Sequence, residues 1–155
     1  MAIHYLKGDA TSPIGEGNKA IIHVCNDIGA WGAGFVLALS KKWSQPEAQY
    51  RAWAKSKVNF QLGFVQPVKV AKDTVVINMI GQKGIRSVGN VIPLRYDALT
   101  TCLSKVAKYC DANNMSVHMP RIGCGLAGGS WEKVEEIIND TLLAEELEVY
   151  VYDFD

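Results

Sequence analysis

The apolar positions along the chain alternate between two rhythms, one of period two and one close to 3.6. Ile3 to Leu6 and Ala20 to Cys25 read as short strands. The second, AIIHVC, is almost continuous in apolar residues, as a strand covered on both faces must be. Gly34 to Trp43 predicts a helix, and a second helix starts at Ser44, where Ser44 and Glu47 form an S-x-x-E capping box. Gly63 to Val70 and Thr74 to Ile80 are β-branched runs separated by Ala71-Lys72-Asp73, which predicts a hairpin and so a mixed sheet. Leu99, Leu103, Val106 and Cys110 recur at helical spacing and place an amphipathic helix from about Leu94 to Asn113. A buried strand VHMP follows. Trp131, Val134, Ile138 and Leu142 mark a last helix capped by Ser130, and Glu148 to Tyr152 closes the sheet. The expected fold class is α/β, a three-layer α/β/α sandwich around a mixed central sheet.

Length and composition narrow the class. At 155 residues and 48% hydrophobic content, one core can close but two ordinary domains cannot, so residues 1–155 are expected to form a single domain. The 16 basic and 16 acidic residues cancel, and no lysine or arginine stripe suits a nucleic-acid backbone. No apolar run approaches the roughly 18 residues that cross a bilayer, and the N-terminal stretch has no signal-peptide core; no membrane partner and a cytoplasmic location are expected. Cys25, Cys102, Cys110 and Cys124 form neither a CxxC pair nor a zinc spacing with His4, His23 and His118, so no metal, cofactor or disulfide framework is expected.

Two glycine-rich segments each follow a strand and open a helix: Asn26 to Gly34, and Gly123 to Ser130. Both belong beyond the carboxyl ends of strands, where open α/β sheets bind ligands. Glycine lets backbone N–H groups converge on an anion without a Cβ in the way, and a helix start adds partial positive charge. Two such loops suit a diphosphate. The alternative is that the glycines serve tight strand-to-helix turns. Gly123, Gly125 and Gly128 match G-x-G-x-x-G, but only one helix and one strand follow, unlike a dinucleotide-binding dehydrogenase. No P-loop lysine, GxSxG elbow or HExxH is present. Asp9, at the end of the first strand, can accept from an exocyclic amine such as that of adenine, or cap a turn. Trp31 needs a partner, either the core or a ribose face, and Tyr152 and Phe154 can pack on a base or in the core.

Lys7-Gly8-Asp9, His23-Val24-Cys25-Asn26 leading into Gly32-Ala33-Gly34, and Met119-Pro120-Arg121-Ile122-Gly123-Cys124-Gly125-Leu126 followed by Trp131 resemble the macrodomain family. The similarity runs over essentially the whole chain. Its nearest branches are the terminal ADP-ribose glycohydrolases and the yeast-type ADP-ribose-1″-phosphate phosphatases. The resemblance implies a pocket for ADP-ribose or a derivative, free or carried by a protein or nucleic acid. Asp9 then holds the adenine, both loops grip the diphosphate and Asn26 meets the distal ribose; the ligand-binding candidates also include Ala10, Trp31 to Gly34, Arg121 and Gly123 to Gly128. It also implies hydrolysis of a group on that ribose, with binding alone as the alternative. The positions matching the glycohydrolase branch's lysine and aspartate fall on Gln82 and Ala127, with Lys83 one residue away. His23, Asn26 and Lys83 are the catalytic candidates; Asp27 and Arg86 are possible second groups. A histidine titrates near pH 6.5 and can be nucleophile or acid, although His23 in an apolar strand also reads as a core residue. Cys124 has no evident base partner.

Overall fold

The computed structural model describes residues 2–154; Met1 and Asp155, included in the expected domain, lie outside the described residues. Six strands form one sheet: β1 (Ile3–Lys7), β2 (Asn18–Asn26), β3 (Val65–Ala71), β4 (Thr74–Gln82), β5 (Met115–Met119) and β6 (Val149–Asp153). Their order is β1-β6-β5-β2-β4-β3. Only β3 runs antiparallel, in the expected hairpin with β4. It is an edge strand, which is where Pro67, with no N–H to donate, is tolerated. β2 and β4 pair in parallel at the centre and are buried along nearly their whole length, which is why both read as unbroken apolar runs.

Helices α1 (Phe35–Lys42) and α2 (Gln45–Ser56) cover one face, packing Leu39, Tyr50 and Trp31 onto Ile21, Cys25 and Val76. Helices α3 (Tyr96–Ala112) and α4 (Trp131–Thr141) cover the other, with Leu99, Leu103, Val106, Val134 and Ile138 against Ile22, Ile77, Met79 and Val117. The α/β/α sandwich with a mixed sheet is therefore the observed fold. None of the helices among the described residues is long and apolar enough to cross a membrane.

Two expected caps take a different form. Ser44 stands before α2 with helical dihedrals and makes no side-chain cap bond. Its intended partner Glu47 is occupied, since Ser40 Oγ donates to Glu47 Oε1 at 3.0 Å and Arg51 Nε to Oε2 at 2.9 Å. Ser130 precedes α4 but likewise makes no side-chain cap bond; its N–H donates to the Tyr96 hydroxyl.

Connections leave the middle of the sheet in opposite directions. After β2 the chain crosses through α1 and α2 toward β3 and β4, and after β5 it crosses through α4, on the other face, toward β6. β2 and β5 are parallel neighbours, so their carboxyl ends diverge at a topological switch point, where open α/β sheets leave a crevice.

Candidate functional site

The crevice is a cleft of about 450 Å³ lined from both glycine loops, by Asn26, Gly32, Ala33 and Gly34 on one side and Arg121, Gly123, Gly125, Leu126 and Ala127 on the other. A Cβ added to Gly34 would lie 3.8 Å from Leu126 Cδ1, so the two loops close on each other across the mouth. The floor comes from His23, Val24 and Cys25 of β2 and Gln82 of β4. Here the sheet registers Cys25 with Ile80 but Asn26 with Gln82, a bulge that leaves Gly81 over and sets the two amide side chains side by side.

The glycines divide into two classes. Gly29, Gly34, Gly123 and Gly128 have φ between 74° and 84°, which side chains with a Cβ rarely adopt. A Cβ on Gly129 would stand 2.3 Å from Leu94 Cδ2 and 2.5 Å from Gly123 O. These are needed by the turns themselves. Gly32 and Gly125 are different: neither has positive φ, and a Cβ on either would meet nothing within 4 Å. Both line the cleft. Neither positive φ nor packing requires glycine there, so at both positions the backbone stands open to the cleft. The N–H groups of Gly32, Ala33, Gly125 and Leu126 donate to no other group among the described residues. Gly34, Phe35 and Val36, at the start of α1, also face the cleft and bring the positive end of that helix.

Asn26 shapes the first loop. Its Oδ1 accepts from Ile28 N (3.1 Å), Ala30 N (3.0 Å) and the Tyr50 hydroxyl (2.9 Å), and its Nδ2 donates to Ala30 O (2.8 Å). Asp27 Oδ1 accepts from Gly84 N at 2.8 Å, tying this loop to the one after β4.

His23 is buried. Its Nε2–H donates to Asn78 Oδ1 at 2.5 Å, because Asn78 Nδ2 is already donating to Pro46 O and Gln66 Oε1. Burial depresses its pKa to about 4, against the opposing effect of that bond, so the ring is neutral near pH 7. It cannot serve as an acid there. Burial raises the thiols of Cys25 and Cys124, and a protonated thiol is a poor nucleophile.

Other sequence candidates lie elsewhere. Trp31 is 4% exposed, edge-on to His23, with Nε1 donating to Ser40 Oγ: its partner is the core. Tyr152 is buried, its hydroxyl accepting from Ile14 N and paired with His118 Nδ1. Phe154 is exposed. Asp9 is half-buried and accepts from Thr11 N and Oγ1 through Oδ1, a turn cap; Ala10 beside it is buried. Cys124 and Gly128 lie in the second loop but do not line the cleft. Arg121 is held in a two-pronged bond to Asp153 and lies over the rings of Tyr5 and Trp131. Lys83 lines a separate groove with Asp27, Arg86 and Arg95, not the cleft that holds His23 and Asn26. Ala127, besides lining the cleft, accepts from Leu94 N through its carbonyl. Phe35, Val36 and Ile85 line the cleft without having been singled out by the sequence. Among the described residues no three His, Cys, Asp or Glu side chains come together to hold a metal ion.

No protein-family profile matches the chain. Solved structures do. A protein of unknown function from Bacteroides thetaiotaomicron is 58% identical over 99% of this chain and 98% of its own, with a TM-score of 0.97. A macrodomain protein from Streptomyces coelicolor is 49% identical over 98% of this chain and 99% of its own, with a TM-score of 0.88. The chain belongs to the macrodomain family. Among curated relatives, the ADP-ribose 1″-phosphate phosphatase of Lodderomyces elongisporus is 26% identical over 99% of this macrodomain and 100% of its own length. The mouse chromodomain-helicase-DNA-binding protein 1-like is 30% identical, but this macrodomain spans only 18% of it.

Proposed function

We propose that this macrodomain binds ADP-ribose, or a derivative of it, with the diphosphate between the two glycine loops. The reading rests on Gly32 and Gly125, where neither positive φ nor packing among the described residues requires glycine. Backbone donors and the start of α1 supply the anion site that a chain of zero net charge does not supply through lysines. Adenine is assigned to Asp9, which lies outside the lining of the cleft and whose Oδ2 is left by the Thr11 bonds to accept an amine, and the distal ribose to the cleft at Asn26 and Gln82. With about 36 non-hydrogen atoms at roughly 0.3 kcal/mol each, the ligand's ceiling is near 11 kcal/mol; micromolar affinity needs about 8. The buried thiols fit a reducing compartment, and the cytoplasm is the location we assign.

A second reading is hydrolysis of a group on the distal ribose, favoured by the full-length similarity to the yeast phosphatase. The Gln82 amide oxygen can orient a water there, but among the described residues no carboxylate or lysine lines the cleft to move a proton. Geometry therefore supports binding more strongly than turnover. Calorimetric titration with ADP-ribose tests the first reading, and absence of heat and of thermal shift refutes it. Incubation with ADP-ribose-1″-phosphate and with ADP-ribosylated protein, followed by assay of released phosphate and ADP-ribose, tests the second. No release from either substrate leaves binding alone.

A further inference from the structure

Beside the cleft runs a second groove of about 610 Å³, lined by Asp27, Ile28, Lys83, Gly84, Ile85, Arg86, Val88, Val91 and Arg95. Ile85 borders both, so the groove begins where the cleft ends, next to Asn26 and Gln82. We propose that this groove docks the polypeptide that carries the ADP-ribose, through an acidic segment with an apolar side chain; the inference rests on the ADP-ribose reading above.

The lining has two unusual properties. Ile28, Ile85, Val88 and Val91 are 59%, 48%, 79% and 54% exposed, four large aliphatic side chains left in water on one groove. Two of them are tied together: Val88 N donates to Val91 O at 3.0 Å and Val91 N to Val88 O at 3.1 Å, a bridge that holds both valines in the absence of a ligand. The second property is charge. Lys83, Arg86 and Arg95 stand against the single carboxylate of Asp27; Arg95 is turned to the carbonyls of Ile92 and Pro93, and Asp27 to Gly84 N. Lys83 and Arg86 make no side-chain bond among the described residues and leave the groove cationic. A chain whose charges sum to zero thus carries local positive charge among exposed aliphatics, at the end of the cleft assigned to the distal ribose. A ligand that pairs with both features has carboxylates and an apolar side chain, which is a polypeptide. A nucleic-acid backbone would satisfy the cations and leave the aliphatic groups in water.

The test is competition against a fluorescent ADP-ribose probe. The competitors are free ADP-ribose, a peptide bearing ADP-ribose through a hydrolysis-resistant linkage and flanked by Asp and Leu, the same peptide flanked by Lys and Ser, and an oligonucleotide bearing ADP-ribose. The Asp/Leu peptide is expected to compete at least about tenfold better than free ADP-ribose, equivalent to about 1.4 kcal/mol. Arg86→Glu and Val88→Asp should each remove most of that gain while free ADP-ribose binds within about twofold of its native affinity, which also shows that both variants are folded. A peptide no better than free ADP-ribose, or a gain that survives both substitutions, overturns the proposal. So does an oligonucleotide that outcompetes the peptide and is sensitive to Arg86→Glu alone. If free ADP-ribose fails to bind the native protein, the reading of the cleft itself has failed, and this proposal with it.

Discussion

Replacing Gly125 with valine should separate binding from folding. A Cβ at this position meets nothing within 4 Å and the backbone does not need positive φ, so the folded state accommodates the side chain. Removing a glycine also narrows the unfolded ensemble, which stabilises by about 0.4–1 kcal/mol at a compatible site. In a domain of 155 residues each kcal/mol moves Tm by about 2–4 °C, so Gly125→Val should melt at or slightly above the native temperature. Binding should respond in the opposite sense. The branched side chain projects into the cleft and displaces the diphosphate from the loop donors, and losing two charge-assisted bonds at roughly 1.5–3 kcal/mol each lowers affinity by about 100-fold or more. Gly129→Ala is the control. Its Cβ would collide with Leu94 and with the Gly123 carbonyl, so it should lower Tm, at an overpacking cost of about 1–3 kcal/mol. Calorimetry with ADP-ribose and thermal unfolding read both variants. Undiminished affinity in folded Gly125→Val refutes the placement of the diphosphate.

Asp9→Asn keeps an oxygen for the Thr11 turn bonds, but its amide donates where the carboxylate accepted. It should therefore weaken the preference for ADP-ribose over its hypoxanthine analogue, and an unchanged preference removes Asp9 from the adenine site. Trp31→Ala should cost about 3–5 kcal/mol of stability because the ring is core; loss of binding with Tm intact would return Trp31 to the ligand. His23 and His118 both have folded pKa values lowered to about 4 by burial, below the usual 6.5. The unfolded chain then takes up more protons, so their contribution is complete above pH 6.5 and is lost as pH falls toward 4, by about 1.4 kcal/mol per unit per histidine at the steepest. Urea midpoints should fall across that window; Asp73 and Asp153, held below the usual carboxylate range by Thr74 and Arg121 hydrogen bonds, act only at lower pH. A flat midpoint from pH 6.5 to 4.5 contradicts the burial argument. ADP-ribose affinity should change less than about threefold between 50 mM and 500 mM salt, since Arg121, paired with Asp153, is the sole Lys or Arg lining the cleft; a steep salt slope would mean that unpaired lysines or arginines carry the site.

Elements whose periodicity is strong were legible in the chain. β2 and β4 announce themselves as unbroken apolar runs, and α3 and α4 as stripes at helical spacing, because burial on two faces or on one stripe leaves few other patterns. The caps were less so. Whether Ser44 caps depends on what else reaches Glu47, and Ser40, from the preceding helix, reaches it. Strand order was not legible at all. That β5 lies beside β2 is decided by pairing across some 90 residues, and the switch point follows from that pairing alone.

For the site, the sequence marked the two loops that line the cleft but could not say which of their glycines the turns require. A glycine demanded by φ near 80°, such as Gly34, and a glycine demanded by an approaching ligand are the same letter. They separate only when a Cβ is placed on each backbone, and then Gly32 and Gly125 stand apart from Gly123, Gly128 and Gly129. The same limit governs Lys83. Gln82 ends β4 facing the cleft, and the next side chain turns into the neighbouring groove. One position thus decides whether an amine enters the cleft or the groove beside it. On the proposed reading, glutamine at 82 and lysine at 83 leave the ligand to the backbone donors and offer charge to whatever the ligand is attached to.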